Sequence, residues 1–377
     1  GAPLPSVSDP MAVALDEARG ISLGKSAVCE FGLSSYTESE VLGPTRNPYD
    51  LSVGAGGSSG GAAAAVAGGL LPVAPGSDGG GSVRIPAWTC GLVGFKPSRG
   101  LLPVGTGFDS LGGLVVPGPL ARNVSDAALL LDAMKGSRPS LRATGVSSPP
   151  VSFQESLRTP VGKLTIAVTT SHPWGEDVDI DVAPEALAAL EKVVALAEQA
   201  GHRVTALEWK PRPGYFDAFS ILWRASAATL DVPPGGQSLL EPLTGYLVEA
   251  GRALSARDLA LALRELSQFE THTIECFSPF DVILTPGLAT AAPLVDSYDK
   301  ADPERNFTLQ IRVTPYSSFV NVSGLPAVAL PVMASPRGVP VGVQLVGRAG
   351  GDATVLGLAR EFESQLDWAL KPAIFAH

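Results

Sequence analysis

Two serines, each embedded in glycine, are the residues of this sequence best suited to covalent chemistry. Ser58 lies within Gly56–Gly61, and Ser82 ends the run Gly76–Ser82, 24 residues further on. Clustered glycines lack Cβ atoms and adopt positive φ angles, so neighbouring backbone N–H groups can converge on one point. Such donors beside a serine hydroxyl would stabilise the oxyanion that forms when the hydroxyl attacks a carbonyl. The candidate donors are the N–H groups of Gly79, Gly80 and Gly81.

The segment between the two serines must return the second beside the first. Ala62–Ala67 predicts a short helix because alanine has the highest helix propensity, and Gly68 and Gly69 end it. Leu70–Ala74 is apolar and predicts a buried strand that leads into the second glycine run. One helix and one strand are therefore expected to bring the two serine loops together.

The rest of the chain predicts an α/β fold. Lys163–Thr170 and His202–Trp209 read as strands on either side of a helix over Pro184–Ala200, and this order favours a parallel sheet. Leu325–Val332 and Val339–Val346 predict a hairpin. Further helices are predicted at Pro10–Ala18, Val124–Met134, Ser255–Phe277 and Asp352–Leu366, and further strands at Ile21–Leu23 and Asp281–Thr285.

Composition narrows the possible partners. The chain has 377 residues, 45% of them hydrophobic, which predicts a sizeable core. The formal charge of −10 opposes binding to nucleic acid or to anionic lipid, and Ala62–Pro75, the longest apolar stretch, is interrupted and too short to span a membrane. Three widely spaced cysteines favour neither a disulfide framework nor a metal site, so a reducing cytoplasm is expected.

The two glycine runs belong to a series of longer motifs: Gly56–Gly61, Gly76–Ala87, Cys90–Pro97, Gly118–Asp126, Asn321–Pro331 and Val339–Gly347. These motifs resemble the amidase signature family, serine hydrolases that cleave carboxamide C–N bonds. The resemblance covers most of the chain and is weakest over residues 211–258, where family members usually differ with substrate. It implies one domain over residues 1–377, with a mixed central β-sheet covered by helices on both faces.

The resemblance also implies roles for individual residues. Ser82 matches the nucleophile, and Ser58 matches the serine that relays a proton to it through a loop whose Gly57–Ser58 bond is cis. Asp78 and Arg84 match a pair that braces the nucleophile loop, and Ser59 is expected to hydrogen-bond within the same cluster. The implied substrate is a small amide, with no metal or organic cofactor; a homo-oligomer is left open.

The general base of the family is a neutral lysine, upstream of the first signature serine. Lys25 matches a different, non-catalytic position, so the lysine of the Ser-Ser-Lys triad is expected on residues preceding Gly1. One alternative is a lysine-free relative that binds without catalysis. Another is the amidase subunit of a tRNA-dependent amidotransferase, which shares both serines.

Other side chains have simpler interpretations. Gly56-x-Ser58-x-Gly60 fits a nucleophile elbow in form, but the residues before it are rich in turn formers and no suitable histidine follows. Lys96 is expected to be structural, and Cys90 to be a packed thiol. The aromatic residues of the variable region could line a pocket or pack a helix, and packing is the favoured interpretation: Tyr215, Phe216, Phe219 and Trp223.

Overall fold

The structure is a computed structural model that describes residues 8–102, 111–136, 151–175, 177–233 and 235–366. The strands are β1 Glu38–Ser39, β2 Gly43–Pro44, β3 Arg46–Asn47, β4 Asp50–Gly54, β5 Val73–Asp78, β6 Val93–Lys96, β7 Val116–Ala121, β8 Thr165–Val168, β9 Arg203–Ala206, β10 Val282–Pro286, β11 Ala327–Ala334 and β12 Pro340–Gly347. The α-helices are α1 Pro10–Glu17, α2 Gly60–Ala67, α3 Arg84–Thr89, α4 Val124–Lys135, α5 Phe153–Ser156, α6 Pro184–Gln199, α7 Tyr215–Ala228, α8 Pro242–Arg252, α9 Ala256–Phe277, α10 Pro303–Val313, α11 Ser318–Ser323 and α12 Asp352–Glu363. Short 3₁₀ helices cover Glu30–Gly32, Leu111–Gly113 and Gly236–Leu239.

A mixed sheet of eight strands forms the centre of the described structure. Its strand order is β5-β7-β6-β11-β12-β10-β8-β9. Neighbouring strands are antiparallel from β5 to β10, and β10, β8 and β9 run parallel to one another. Two small ribbons, β1 with β2 and β3 with β4, lie outside it.

Helices cover both faces of this sheet, as the resemblance implied. Along β12, Val343 and Leu345 point into a core shared with α4, α6 and α12. Val346, on the opposite face, packs into a second core shared with α7, α9 and α11. This alternation follows from the period of two in a strand. The expected mixed sheet between two helical layers is therefore confirmed.

The predicted β-α-β unit forms because its local signals agree. Helix α6 begins at Pro184, with Glu185 in its first turn, and buries one face through residues such as Leu190 and Val193. Strands β8 and β9 pair in parallel on either side of it. Helix α9 begins with a capping box in which Ser255 and Asp258 bond each other's backbone N–H groups. The predicted hairpin is also present as β11 and β12.

Two predicted strands differ from the structure. Ile21–Leu23 forms no strand, and the side chains of Ile21 and Leu23 are exposed. The strand expected at Leu70–Ala74 begins instead at Val73 and continues to Asp78, while Leu70 is exposed. It extends into the glycine run because Gly76, Ser77 and Asp78 pair with β7. The single domain over residues 1–377 stays a prediction.

Among the helices of the described ranges, none combines the length and the hydropathy that a membrane crossing requires.

Close packing of α7 against α8 depends on one glycine. A Cβ atom on Gly251 of α8 would lie 2.0 Å from the Arg224 carbonyl oxygen of α7. We expect Gly251→Ala to lower the free energy of unfolding by ~2 kcal/mol or more, because neither helix backbone can yield locally. The measurement is a urea unfolding curve, in which the midpoint should fall while the slope, the m value, stays unchanged.

Gly245 provides a matched control within the same helix. A Cβ atom there would meet nothing within 4 Å. Gly245→Ala should raise the free energy of unfolding by ~0.5–1 kcal/mol through helix propensity alone. Equal effects at the two positions would contradict the described contact between α7 and α8.

Candidate functional site

The two serine loops are joined by a backbone hydrogen bond. The N–H of Ser59 donates to the carbonyl oxygen of Ser82 at 3.2 Å. Ser58 and Ser82 are both buried, and Ser82 lines a cleft. The Gly57–Ser58 peptide bond is cis, as the resemblance implied, and the expected hydrogen bond of Ser59 within the cluster is present.

Thr37 holds the Ser58 loop from below. Its hydroxyl lies 2.8 Å from the Gly56 carbonyl oxygen and 3.2 Å from that of Ser58, and it accepts the N–H of Gly60 at 3.2 Å. Gly57 must be glycine because a Cβ atom there would lie 2.6 Å from the backbone of Tyr36. The position of Ser58 is therefore set by close backbone packing.

Asp78 and Arg84 form a buried ion pair beneath the Ser82 loop, as expected. Arg84 Nε donates to Asp78 Oδ2 at 2.9 Å, and Nη2 donates to Oδ1 at 2.8 Å. Neither residue is exposed to solvent. Asp78 also accepts the N–H groups of Gly81 at 2.7 Å and of Val83 at 3.2 Å. The pair thus fixes the backbone on both sides of Ser82.

The sequence did not single out the other partners of Arg84. Nη1 donates to the Ser317 carbonyl oxygen at 2.9 Å and to Gln344 Oε1 at 2.7 Å, and Nη2 donates to Asn321 Oδ1 at 2.6 Å. All five guanidinium N–H groups are therefore satisfied. Asn321 and Gln344 lie in motifs that carried the family resemblance, which was the only signal for them in the sequence.

The carboxyl group of Asp78 is held in its charged form. Burial alone would raise the pKa of Asp78, but the charge of Arg84 and the hydrogen bonds from Arg84 and Asn321 outweigh it and lower the pKa below its usual value. The opposite charges lie in contact, so the network presents no uncompensated charge to the cleft.

The glycines before Ser82 differ in what their N–H groups do. Gly81 departs from the expectation of an oxyanion donor because its N–H is engaged with Asp78 Oδ1. Within the described part of the chain, the N–H groups of Gly79 and Gly80 have no acceptor. The Ser317 hydroxyl donates to the Gly80 carbonyl oxygen at 2.6 Å and so fixes the orientation of this peptide.

A cleft that opens to solvent leads to Ser82. Phe219 and Trp223 of α7 line it and also pack in the hydrophobic core, so both interpretations hold for these two rings. Tyr215 is buried and hydrogen-bonds Ser318 at 2.9 Å, as packing predicts. Part of the variable region 211–258 therefore forms a wall of the cleft.

Lys96 and Cys90 are both fully buried. Burial lowers the pKa of Lys96 to about 7, and its Nζ donates to the Pro97 carbonyl oxygen at 2.9 Å. Burial raises the pKa of the Cys90 thiol to about 12, which agrees with a packed thiol rather than a nucleophile. Over the described residues, no group of three or more His, Cys, Asp or Glu side chains could hold a metal ion.

Known proteins share both the sequence and the fold. The sequence profile of the family described as Amidase matches residues 5–356. A Mycobacterium tuberculosis protein that carries the amidase name AmiB2 is 37% identical over 357 residues, which cover 94% of this chain and 74% of that protein. The structure of 6-aminohexanoate cyclic dimer hydrolase complexed with substrate superposes with a TM-score of 0.88 and 29% identity, over 97% of this chain and 80% of that chain.

A bacterial aryl acylamidase of the amidase signature enzymes is similar in fold, with a TM-score of 0.84 and 24% identity over 99% of this chain and 78% of that chain. The family profile spans nearly the whole sequence, and the motifs that first indicated the family surround the two joined glycine loops. The chain therefore belongs to the amidase signature family, hydrolases that act on the C–N bond of amides.

Proposed function

We propose that this protein hydrolyses small carboxamides through an acyl-enzyme on Ser82. The observation that carries the proposal is the position of Ser82 in the lining of the cleft, close in sequence to two N–H groups that have no acceptor among the described residues, and tied to the Ser58 loop by a backbone hydrogen bond. A hydroxyl, free N–H donors and an apolar cleft are what acyl transfer requires.

In the first half of the reaction, Ser82 Oγ attacks the amide carbonyl carbon. The N–H groups of Gly79 and Gly80 hold the resulting oxyanion, with the N–H of Ser82 itself as a third donor. Removing one such donor typically lowers the rate by about 10²–10³. Ser58 takes the proton of Ser82 and passes a proton to the departing nitrogen. The C–N bond breaks, ammonia or an amine leaves, and an ester on Ser82 remains.

In the second half, water attacks the ester carbonyl and releases the carboxylic acid. The same N–H groups hold the second oxyanion, while Ser58 takes a proton from the attacking water and passes a proton to Ser82 Oγ as the ester bond breaks. The Asp78–Arg84 pair contributes by fixing the peptide between Gly81 and Val83, so the donors need not reorganise during the reaction.

The general base in this proposal is a lysine, as the family resemblance implies. Lys96 is poorly placed for that role, because its Nζ bonds the Pro97 carbonyl oxygen in the core. A positioned general base contributes about 10²–10⁴ in rate, so hydrolysis by the triad depends on that lysine.

The test is capture of the acyl group. Full-length protein is mixed with an aryl amide and quenched in acid, and its peptides are analysed by mass spectrometry. The peptide that contains Ser82 should gain the mass of the acyl group, and hydroxylamine should remove it. Turnover without acylation of Ser82 would contradict the mechanism. The absence of both turnover and acylation would favour a non-catalytic relative.

A further inference from the structure

The described lining of the cleft contains no ionisable side chain. Its apolar members are Leu33, Ile85, Trp174, Phe219, Trp223, Phe307 and Ile311, and its polar members are neutral serine, threonine and glutamine residues. The nearest described charge under the Ser82 loop, Arg84, is fully buried and paired with Asp78. A charged ligand group would therefore find no partner on these walls.

An aromatic wall stands directly against the glycines that flank Ser82. A Cβ atom on Gly80 would lie 3.7 Å from Phe219 Cζ and 3.9 Å from the Trp223 ring, so both rings stand beside Gly80 at the distance of one side-chain carbon in van der Waals contact. The rings of Phe219 and Trp223 stack with centroids 5.5 Å apart, one helical turn from each other. Trp174 meets Phe219 edge-on at 5.6 Å. Any group attached to a carbonyl held at Gly80 must therefore lie beside these rings.

The two tryptophans present carbon surface rather than hydrogen-bond donors. Trp223 Nε1 donates to the Leu33 carbonyl oxygen at 3.2 Å, and Trp174 Nε1 donates to the Pro315 carbonyl oxygen at 3.2 Å. These bonds turn the N–H edges into the protein. The ring faces are left for apolar contact.

Most polar side chains of the lining are already engaged within the protein, whereas the Ser35 hydroxyl has no partner among the described residues. The hydroxyl of Thr314 donates to the Gln310 carbonyl oxygen, and that of Ser317 donates to the Gly80 carbonyl oxygen. Gln310 accepts the N–H of Ser35 at 2.7 Å and donates to Asn306 at 2.8 Å, which leaves one N–H of its amide for a ligand. A few neutral donors can orient an uncharged polar group, but they do not compensate a carboxylate as an opposite charge would.

We propose that the cleft selects amides whose substituent beside the reacting carbonyl is uncharged and apolar, and that it rejects substituents with a carboxylate or an ammonium group. This inference rests on the proposed function of Ser82. Moving a charge from water to a wall of aromatic and aliphatic carbon without a partner is unfavourable, whereas a ring or an alkyl chain gains from leaving water. Glutamine, which carries both charges, is thereby disfavoured as a substrate.

The first experiment measures binding without turnover. Full-length protein with Ser82→Ala is titrated with 2-(4-methylphenyl)acetamide and with 2-(4-carboxyphenyl)acetamide. Both carry the ring on the acyl side, and they differ only by a methyl or a carboxylate group at the same ring position. The dissociation constant of the carboxylate should be at least about 20-fold higher, a fraction of the full burial penalty because the cleft opens to solvent. The corresponding aminomethyl compound should also bind weakly. Equal dissociation constants would overturn the proposal.

The second experiment introduces a positively charged side chain into the lining of the cleft. Phe307 of α10 lines the cleft and is only partly buried, so it tolerates a polar replacement. Phe307→Arg should improve the ratio of carboxylate to tolyl binding by about tenfold, since arginine pairs with carboxylates. Phe307→Gln is the matched control that removes the ring without adding charge, and it should leave the ratio low. The same gain in both variants would show that bulk, rather than charge, excludes the carboxylate.

Turnover separates this inference from the proposed function. If wild-type protein hydrolyses both amides with equal kcat/KM, the result would be compatible with the serine mechanism and would refute the proposed selectivity. Protein that binds the tolyl compound selectively but hydrolyses neither amide would support the selectivity and count against the mechanism.

Discussion

Replacing Ser82 by alanine is expected to lower kcat for amide hydrolysis by about 10⁴-fold or more in the full-length protein. Without the hydroxyl no ester can form, and the remaining N–H donors of Gly79 and Gly80 supply only residual catalysis, as in other serine hydrolases that lose the nucleophile. The measurement is single-turnover release of acid from an aryl amide. The free energy of unfolding should change little, because the lost group is one hydroxyl at the cleft.

Ser77 offers a matched control for this change. It lies in the same strand and loop region, but its side chain is exposed. Ser77→Ala should keep kcat within about twofold of wild type, as is usual for surface replacements. Ser58→Ala should fall between the two, with a loss of about 10²–10⁴ for a proton relay. Substantial turnover by the Ser82→Ala protein would refute the assignment of the nucleophile.

Arg84→Met should destabilise the protein by ~3–5 kcal/mol, the usual effect of removing one partner of a buried ion pair. The change leaves Asp78 charged and buried. It also removes the hydrogen-bond donor of the side-chain oxygens of Gln344 and Asn321 and of the Ser317 carbonyl oxygen. Activity should fall too, since Asp78 would no longer hold the Gly81 peptide in place. Thermal and urea unfolding report the loss of stability.

Two comparisons make this prediction specific. Arg337→Met breaks the pair of Arg337 with Asp50, which has a contact of 2.6 Å but lies near solvent, and should cost less than about 1 kcal/mol. Adding Asp78→Asn to Arg84→Met removes the stranded charge, so the double variant should be more stable than the sum of the single effects. Similar losses for Arg84→Met and Arg337→Met would contradict the described burial.

Elements whose signals are local were predicted well. The helix at Pro184–Gln199 and the capped helix at Ala256–Phe277 combine periodic apolar residues with their own start signals, so no distant residue decides them. Strand β5 was misplaced because its pairing is with β7, some 40 residues away, and the sequence near Leu70 does not reveal that pairing.

The candidate site was predicted in its two serines and its ion pair but not in its surroundings. Asn321 and Gln344 reach Arg84 from 237 and 260 residues away, a distance that no local pattern encodes. Gly81 was placed with its neighbours as a donor, although Asp78 takes its N–H; only coordinates distinguish equivalent glycines. Phe219 and Trp223 have the spacing of a helix face, and a helix face looks alike whether it meets a core or a cleft.

The placement of β11 and β12 bears on how the protein is made. They come last in sequence among the strands that the structure describes, yet they fill the gap between β6 and β10 at the middle of the sheet. Until they emerge, the facing edges of β6 and β10 have no partner strand, and Arg84 lacks its hydrogen bond to Gln344. The two parts of the sheet are therefore joined into one only when β11 and β12 have been synthesised.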